Sequence, residues 1–384
     1  MPAPAGGASV SPLSITFPPE AGVRWTSAGR RISLVLNAHH GLRRAEAGGT
    51  DLFCESRVTT GADTVSPGSL VVTPVDVRRV LPGGLEERWL TALDLPLFFW
   101  ELESAAGGPV KLEGALADGW ASAAWSHGGE ARDAGLRFEN AGGKVLVVNS
   151  DLRGATLLRL PSAGPQRIAA TAPGHLRLAI IAAEDAADLH RTLDLLARRG
   201  FAGLRAQRAQ HARLIQEYGT TLSTPVPAFD EAFEWAKLRA DEMAAPSSAP
   251  DTVPDFDTVL SSPTESAIAD PAGFIRSAAK RLWGAEPDAE HLALTLTPRL
   301  PGGWERMTIS RLRVGSAALD CALSRRAGQI TVRVRRRTGP VVSVTLALSG
   351  ITTTGLAMDD IPLGGQEARF EAAGEHEIVF DLPE

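Results

Sequence analysis

The sequence predicts a mainly β protein with a helical linker: an N-terminal antiparallel β-(super)sandwich, a helical segment and a C-terminal β-sandwich. Three observations predict it. Short apolar-polar alternations, punctuated by Gly and Pro, fill residues 12–181 and 286–384, the pattern of antiparallel strands. Between them the apolar period lengthens to that of a helix. No long helical pattern interrupts the first 170 or so residues, which excludes a doubly wound α/β fold.

Each element follows in order. Residues 1–11, MPAPAGGASVS, read as a flexible tail without the basic start and apolar stretch of a signal peptide. In RISLVLN, Leu34 and Leu36 alternate with Ser33, Val35 and Asn37. VVTPVDV (71–77) reads as a strand with Val71, Val75 and Val77 on one face. LPLFFWELE (95–103), GKVLVVNS (143–150) and LRLAII (176–181) are short apolar strands. Turns fall at Pro67-Gly68, Pro82-Gly83-Gly84, Gly107-Gly108-Pro109, Gly142-Gly143 and Pro173-Gly174.

The helical segment covers 182–285. A first helix starts with acids and ends at Arg198, Arg199 and Gly200, the charge and capping asymmetry of a helix. A second spans about 202–218, and a third follows Pro227 with Phe229, Phe233, Ala236, Ala240 and Met243 at helical spacing. Residues 246–263 hold four prolines and several serines and read as a loop. The last helix begins at Asp270 as N-cap with Pro271 in the first position. From 286 on, alternation is clearest: Leu292, Leu294 and Leu296; Leu319, Cys321 and Leu323; Ile330, Val332 and Val334; Val342, Val344, Leu346 and Leu348.

Composition excludes several classes. Lys and Arg number 39 against 45 Asp and Glu, a net charge of −6, so the basic footprint of a nucleic-acid binder is lacking. No apolar run reaches the length of a membrane span. The two cysteines, Cys54 and Cys321, lie far apart and suit a reducing, cytoplasmic setting. The eight histidines show no ligand spacing, so neither a metal nor a cofactor is expected. Arg333 and Arg335 alternate with inward valines and read as a solvated strand face.

Two stretches carry a family resemblance: LSTPVPAFDEAFEWAKLRADEM (222–243) and RLWGAEPDAEHLALTLTPRLPGGWERMTISRLRVGSAALD (281–320). They resemble bacterial glycogen-debranching and amylo-α-1,6-glucosidase-like glycoside hydrolases, six-hairpin glycosidase relatives. In that family such segments lead into and out of a catalytic toroid of twelve helices. A toroid needs roughly 200 residues, and the stretch from Met243 to Pro271 is far shorter. The resemblance therefore implies the two flanking domains without the catalytic middle, and it supplies no matching position for a catalytic carboxylate.

Glycoside hydrolysis needs two carboxylates about 5–10 Å apart. The local candidates are Asp255, Asp257 and Glu265, in or beside the Pro/Ser-rich loop. Asp230, Glu231 and Glu234 begin the third helix, where the helix dipole accounts for acids. Sugars stack on flat rings, which makes Trp120 and Trp125, in a Gly-rich stretch, and Trp304, after Pro301-Gly302-Gly303, the candidate carbohydrate contacts. The stripe Phe229, Phe233, Trp235 and Leu238 would meet the toroid in full-length relatives. Here it is expected to be partly uncovered, an interface for a second copy or a separate catalytic chain. The expected function is a non-catalytic glycan-binding or scaffold protein, with an α-glucan or other oligosaccharide as partner and neither nucleic acid nor membrane. A glycosidase active weakly or with another chain, and an inert remnant, are the alternatives.

Overall fold

Alternation becomes burial where a sheet has one face turned inward. Leu34 and Leu36 are buried while Ser33, Val35 and Asn37 are half-buried. The computed structural model describes residues 13–19, 24–60, 63–64, 67–124, 135–141, 143–149, 156–160, 162, 164–242 and 261–383. The chain divides into two compact units, Met1–Ala212 and Arg213–Glu384.

In the first unit, the described residues form two antiparallel sheets. A nine-stranded sheet runs, in spatial order, Ile15–Phe17, Ser69–Val72, Val77–Leu81, Leu85–Thr91, Leu97–Ser104, His175–Ala183, Gly143–Asn149, Gly135–Asn140 and Ala121–Ala123. An eight-stranded sheet carries Thr156–Leu160, Arg167–Pro173, Pro109–Leu116, Thr50–Thr60, Gly41–Ala47, Ser33–Asn37 and Arg24–Ala28 in order, with Asp63–Thr64 beside Thr50–Thr60. Their inner faces meet through rings: Phe53 stands edge-on to Phe98 and to Trp100 at 6.4 and 6.2 Å. Leu97–Leu102 is buried throughout, because the outer face is covered as well. The cover is helix α1 (Ala186–Tyr218), whose Leu189 and Leu204 pack with Leu97, Phe99, Ala179 and Ile181. Phe201 meets Phe99 edge-on at 5.0 Å.

One sequence expectation changes here. VVTPVDV is two strands, not one. Thr73 Oγ1 accepts the amides of Val75 and Asp76 at 3.2 and 3.0 Å, closing a tight turn around Pro74. The two helices expected at 183–218 are both present, end to end along α1, with the break at Gly200, where φ is 61° and ψ 179°. That left-handed conformation suits glycine alone.

In the second unit, a seven-stranded sheet orders Thr221–Ser223, Arg306–Val314, Ala317–Arg326, Gln329–Thr338, Glu375–Asp381, Gly355–Met358 and Ile361–Pro362. A four-stranded sheet orders Glu286–Asp288, Ala293–Leu296, Val342–Ala347 and Glu367–Ala372. Its central pair, Ala293–Leu296 with Val342–Ala347, is parallel. Leu319, Cys321, Leu323, Ile330, Val332, Val334, Val342, Val344 and Leu346 are all buried, and they share one core.

Among the described residues, three helices close this core: α2 (Pro227–Glu242), α3 (Pro263–Ala269) and α4 (Pro271–Trp283). Asp270 caps α4 by accepting the Gly273 amide at 2.9 Å, and Gly284 ends it in the left-handed region. α2 packs against both α3 and α4. The rings of Phe229 and Phe274 lie 5.2 Å apart. The helices on either side of 243–260 thus close on each other. Burial overturns the expectation of an uncovered stripe: Phe229 and Phe233 belong to this core, and Trp235 and Leu238 are buried as well. An apolar stripe finds the nearest apolar cover, and α4 supplies it for Phe229.

Candidate functional site

Strand alternation places a row of charges on the outer face of the nine-stranded sheet, in the first unit. In Val77–Leu81 and Leu85–Thr91, residues alternate between the inside of the sandwich and the outer face. Register then lines up Arg78, Arg88, Glu101 and Arg177 across four strands. The next row brings Glu86 opposite Glu103 and Glu103 opposite His175.

Glu101 is the hub. It accepts from Arg88 Nη1 at 3.0 Å, from His175 Nε2 at 2.8 Å and from Arg177 Nε at 2.9 Å. Burial alone would raise this carboxyl. The His175 hydrogen bond and the charges of Arg177 and Arg88 outweigh burial and hold it below the usual glutamate range. Arg88 Nη2 also donates to Glu86 at 2.6 Å. Arg177 lies over the Phe201 ring, 4.1 Å from its centre, a cation–π contact that ties α1 to the row. At the other end Asp76 is buried and accepts from Arg205 of α1 at 3.1 Å. Arg78 approaches Asp76 at 3.9 Å and Glu86 at 3.6 Å, beyond hydrogen-bonding distance.

The inner face of the same strands carries a second charged pair. Arg79 Nη2 lies 2.5 Å from Glu87 Oε2, and both side chains are buried. Trp100 Nε1 donates to Glu87 Oε1 at 2.8 Å, and Arg79 Nη1 donates to the His39 carbonyl at 3.0 Å. Burial raises the Glu87 carboxyl, against the pull of Arg79 and Trp100. Gly41 makes room for this pair: a Cβ there would stand 2.8 Å from Glu87 Oε2, at a φ of +74°.

Of the sequence-predicted catalytic and carbohydrate-contact residues, Glu265, Trp120 and Trp304 are described. Asp255, Asp257 and Trp125 lie outside the described residues. Glu265 is exposed in the first turn of α3. Trp120 is 5% exposed and its Nε1 donates to the Asp51 carbonyl at 2.9 Å, so its ring closes the sandwich and offers no face to a sugar. This corrects the expectation at that position. Trp304 is half-buried against the C-terminal core, behind a turn in which its amide bonds the Pro301 carbonyl at 3.1 Å.

On α2, Asp230 accepts the Thr224 amide and hydroxyl at 2.9 and 2.8 Å, Glu234 pairs with Lys237 at 2.7 Å, and Glu231 is exposed. Burial raises Asp230 and Glu234 and lowers Lys237. Cys321 is buried, its thiol pushed up to about 12, which makes it unreactive.

Sequence reading missed the charged row. Its signal was present in VRRVL and LEERWLT, where charges occupy successive positions and so must face both ways from one strand. Among the described residues, no group of three or more His, Cys, Asp or Glu side chains could hold a metal ion. No described helix is long and apolar enough to cross a membrane.

No family model matches the chain, and no curated protein matches it. Solved structures do. A putative kojibiose phosphorylase from the human microbiome is 8% identical with a TM-score of 0.36, over 60% of this chain and 35% of that one. A bacterial glucoamylase complexed with acarbose is 7% identical with a TM-score of 0.38, over 60% and 43%. A family GH92 inverting mannosidase from Bacteroides thetaiotaomicron is 9% identical with a TM-score of 0.40, over 57% and 36%. All three are named for action on carbohydrates. The match spans less than half the length of each, and at these values it assigns neither activity nor substrate.

Proposed function

We propose that this chain is a non-catalytic, carbohydrate-associated protein that binds an oligosaccharide along the charged row of its nine-stranded sheet. The observation that carries this reading is the constellation around Glu101: planar guanidinium and imidazole groups, partly open to solvent and fixed on the buried Glu101 carboxylate. Paired hydroxyls of a sugar ring match such planar, two-pronged groups. The resemblance of 222–243 and 281–320 to debranching-type hydrolases supports a carbohydrate partner, an α-glucan or another oligosaccharide. The same geometry argues against catalysis at the row. A general acid must hold a proton near neutral pH, and Glu101 is kept ionised by its cationic neighbours.

The test is calorimetric titration of the purified chain with α-glucan oligosaccharides, glycogen and a panel of other oligosaccharides, with product release followed in the same samples. Saturable heat without products is expected. Release of sugar would replace this reading with the hydrolase one, and silence from every glycan would remove the carbohydrate reading altogether.

A further inference from the structure

We infer that the row selects a glycan bearing anionic groups, carboxylate or sulfate, over a neutral one; the inference rests on the glycan-binding reading above. The argument is one of layers. The Asp76 and Glu101 side chains are only 2% and 4% exposed. The groups above them face water: Arg205 at 48%, Arg78 at 34%, His175 at 29%, Arg88 at 23% and Arg177 at 22%. The acids that reach the same surface are Glu86, half-buried, and Glu103, exposed. Buried carboxylates thus act as pedestals that hold guanidinium groups outward, and four arginines outnumber two surface acids.

With the buried acids counted, the row balances its four arginines against Asp76, Glu86, Glu101 and Glu103, so the preference rests on which groups face water, and those are mainly guanidinium. Guanidinium recognises carboxylate and sulfate through two parallel N–H donors. Arg78 lies beyond hydrogen-bonding distance of both its acidic neighbours, so it can turn its donors to a ligand without breaking a bond.

The deciding experiment titrates the whole chain with three probes of similar length: hexagalacturonate, a dextran sulfate oligomer and maltohexaose. Hexagalacturonate or the sulfated oligomer should bind well above maltohexaose, and less tightly as salt rises; which of the two wins identifies the anion. Arg78→Gln and Arg205→Gln should each weaken that binding about tenfold. Glu86→Gln should strengthen it, a change of sign that damage to the fold would not produce. Equal binding of neutral and anionic probes, or indifference to Arg78→Gln, overturns the anion preference and leaves the glycan reading standing. No binding by any probe overturns both.

Discussion

The two sandwiches of this chain solve the same packing problem with opposite interiors. In the C-terminal one, strict alternation delivers Leu294, Leu296, Ile309, Leu319, Ile330, Val332, Val344 and Phe380 to a core made of apolar side chains. In the N-terminal one, the inner face of the large sheet holds the Arg79–Glu87 pair with Trp100. Further along the same strand as Glu87, Arg208 of α1 reaches Thr91 Oγ1 at 2.8 Å and the Ala28 carbonyl at 3.0 Å. The first core sums many small, interchangeable contacts. The second adds to its own apolar contacts a few groups that are tolerable only together, because an ion stripped of both water and partner is costly.

The largest expected effect breaks that dependence. Arg79→Met leaves Glu87 buried and unpaired and should cost about 3–5 kcal/mol. Changing both, Arg79→Met with Glu87→Leu, should recover most of the loss, because the uncompensated charge is gone. Urea denaturation of the single and double variants measures this. Equal losses in the two would show that packing, not charge, is what the pair supplies.

A smaller effect separates the two faces of one sheet by pH. Glu101 on the outer face is held below the ordinary glutamate value. Its contribution is therefore present above the unfolded value of about 4.3 and lost as pH falls through that value toward the depressed one. Glu87 on the inner face is raised by burial, so its titration has the opposite sign and offsets part of that loss. At neutral pH Glu101→Gln should cost about 1.5 kcal/mol, the low end for a charged hydrogen-bond network whose partners are partly open to water. It should also flatten the acid limb of the stability curve, whereas Glu87→Gln should steepen it. Denaturation midpoints between neutral pH and mild acid read both.

How much of this was legible in the sequence follows from the same contrast. Four strands of the C-terminal sandwich were readable, since one apolar residue in two is an unambiguous instruction when one face is buried; Arg306–Val314, Glu367–Ala372 and Glu375–Asp381 were not picked out. Asp270 and Pro271 announced α4 for a similar reason: capping is local chemistry. The charged row was not read, because Glu86, Glu87 and Arg88 look alike in one dimension. Only the register of neighbouring strands sorts Glu87 to Arg79 and Arg88 to Glu101. The stripe Phe229, Phe233, Trp235 and Leu238 was recognised as apolar but expected to be uncovered, since a contact such as that of Phe229 with Phe274 depends on how the chain between them folds back. Trp120 was misread for a related reason. A Gly-rich neighbourhood suggests a loop, yet the backbone carbonyl of Asp51 satisfies its indole and lets it be buried.

The smallest effect tests the dry side of the comparison. Ile330 is fully buried, opposite Phe380 and Arg325 in the seven-stranded sheet. Ile330→Val removes one methyl group and creates no unpaired polar atom, so the loss should be about 0.5–1.5 kcal/mol. Val332 and Val334, two and four residues along, already fill equivalent positions on the same face with the smaller side chain. Hydrogen exchange of amides in Gln329–Thr338 measures the change in the C-terminal sandwich without interference from the other unit. A loss as large as that of Arg79→Met would mean that this core, too, rests on a few irreplaceable contacts. A small loss would locate that dependence in the buried charges, because a dry core can shrink around a missing methyl while an ion pair has no smaller version of itself.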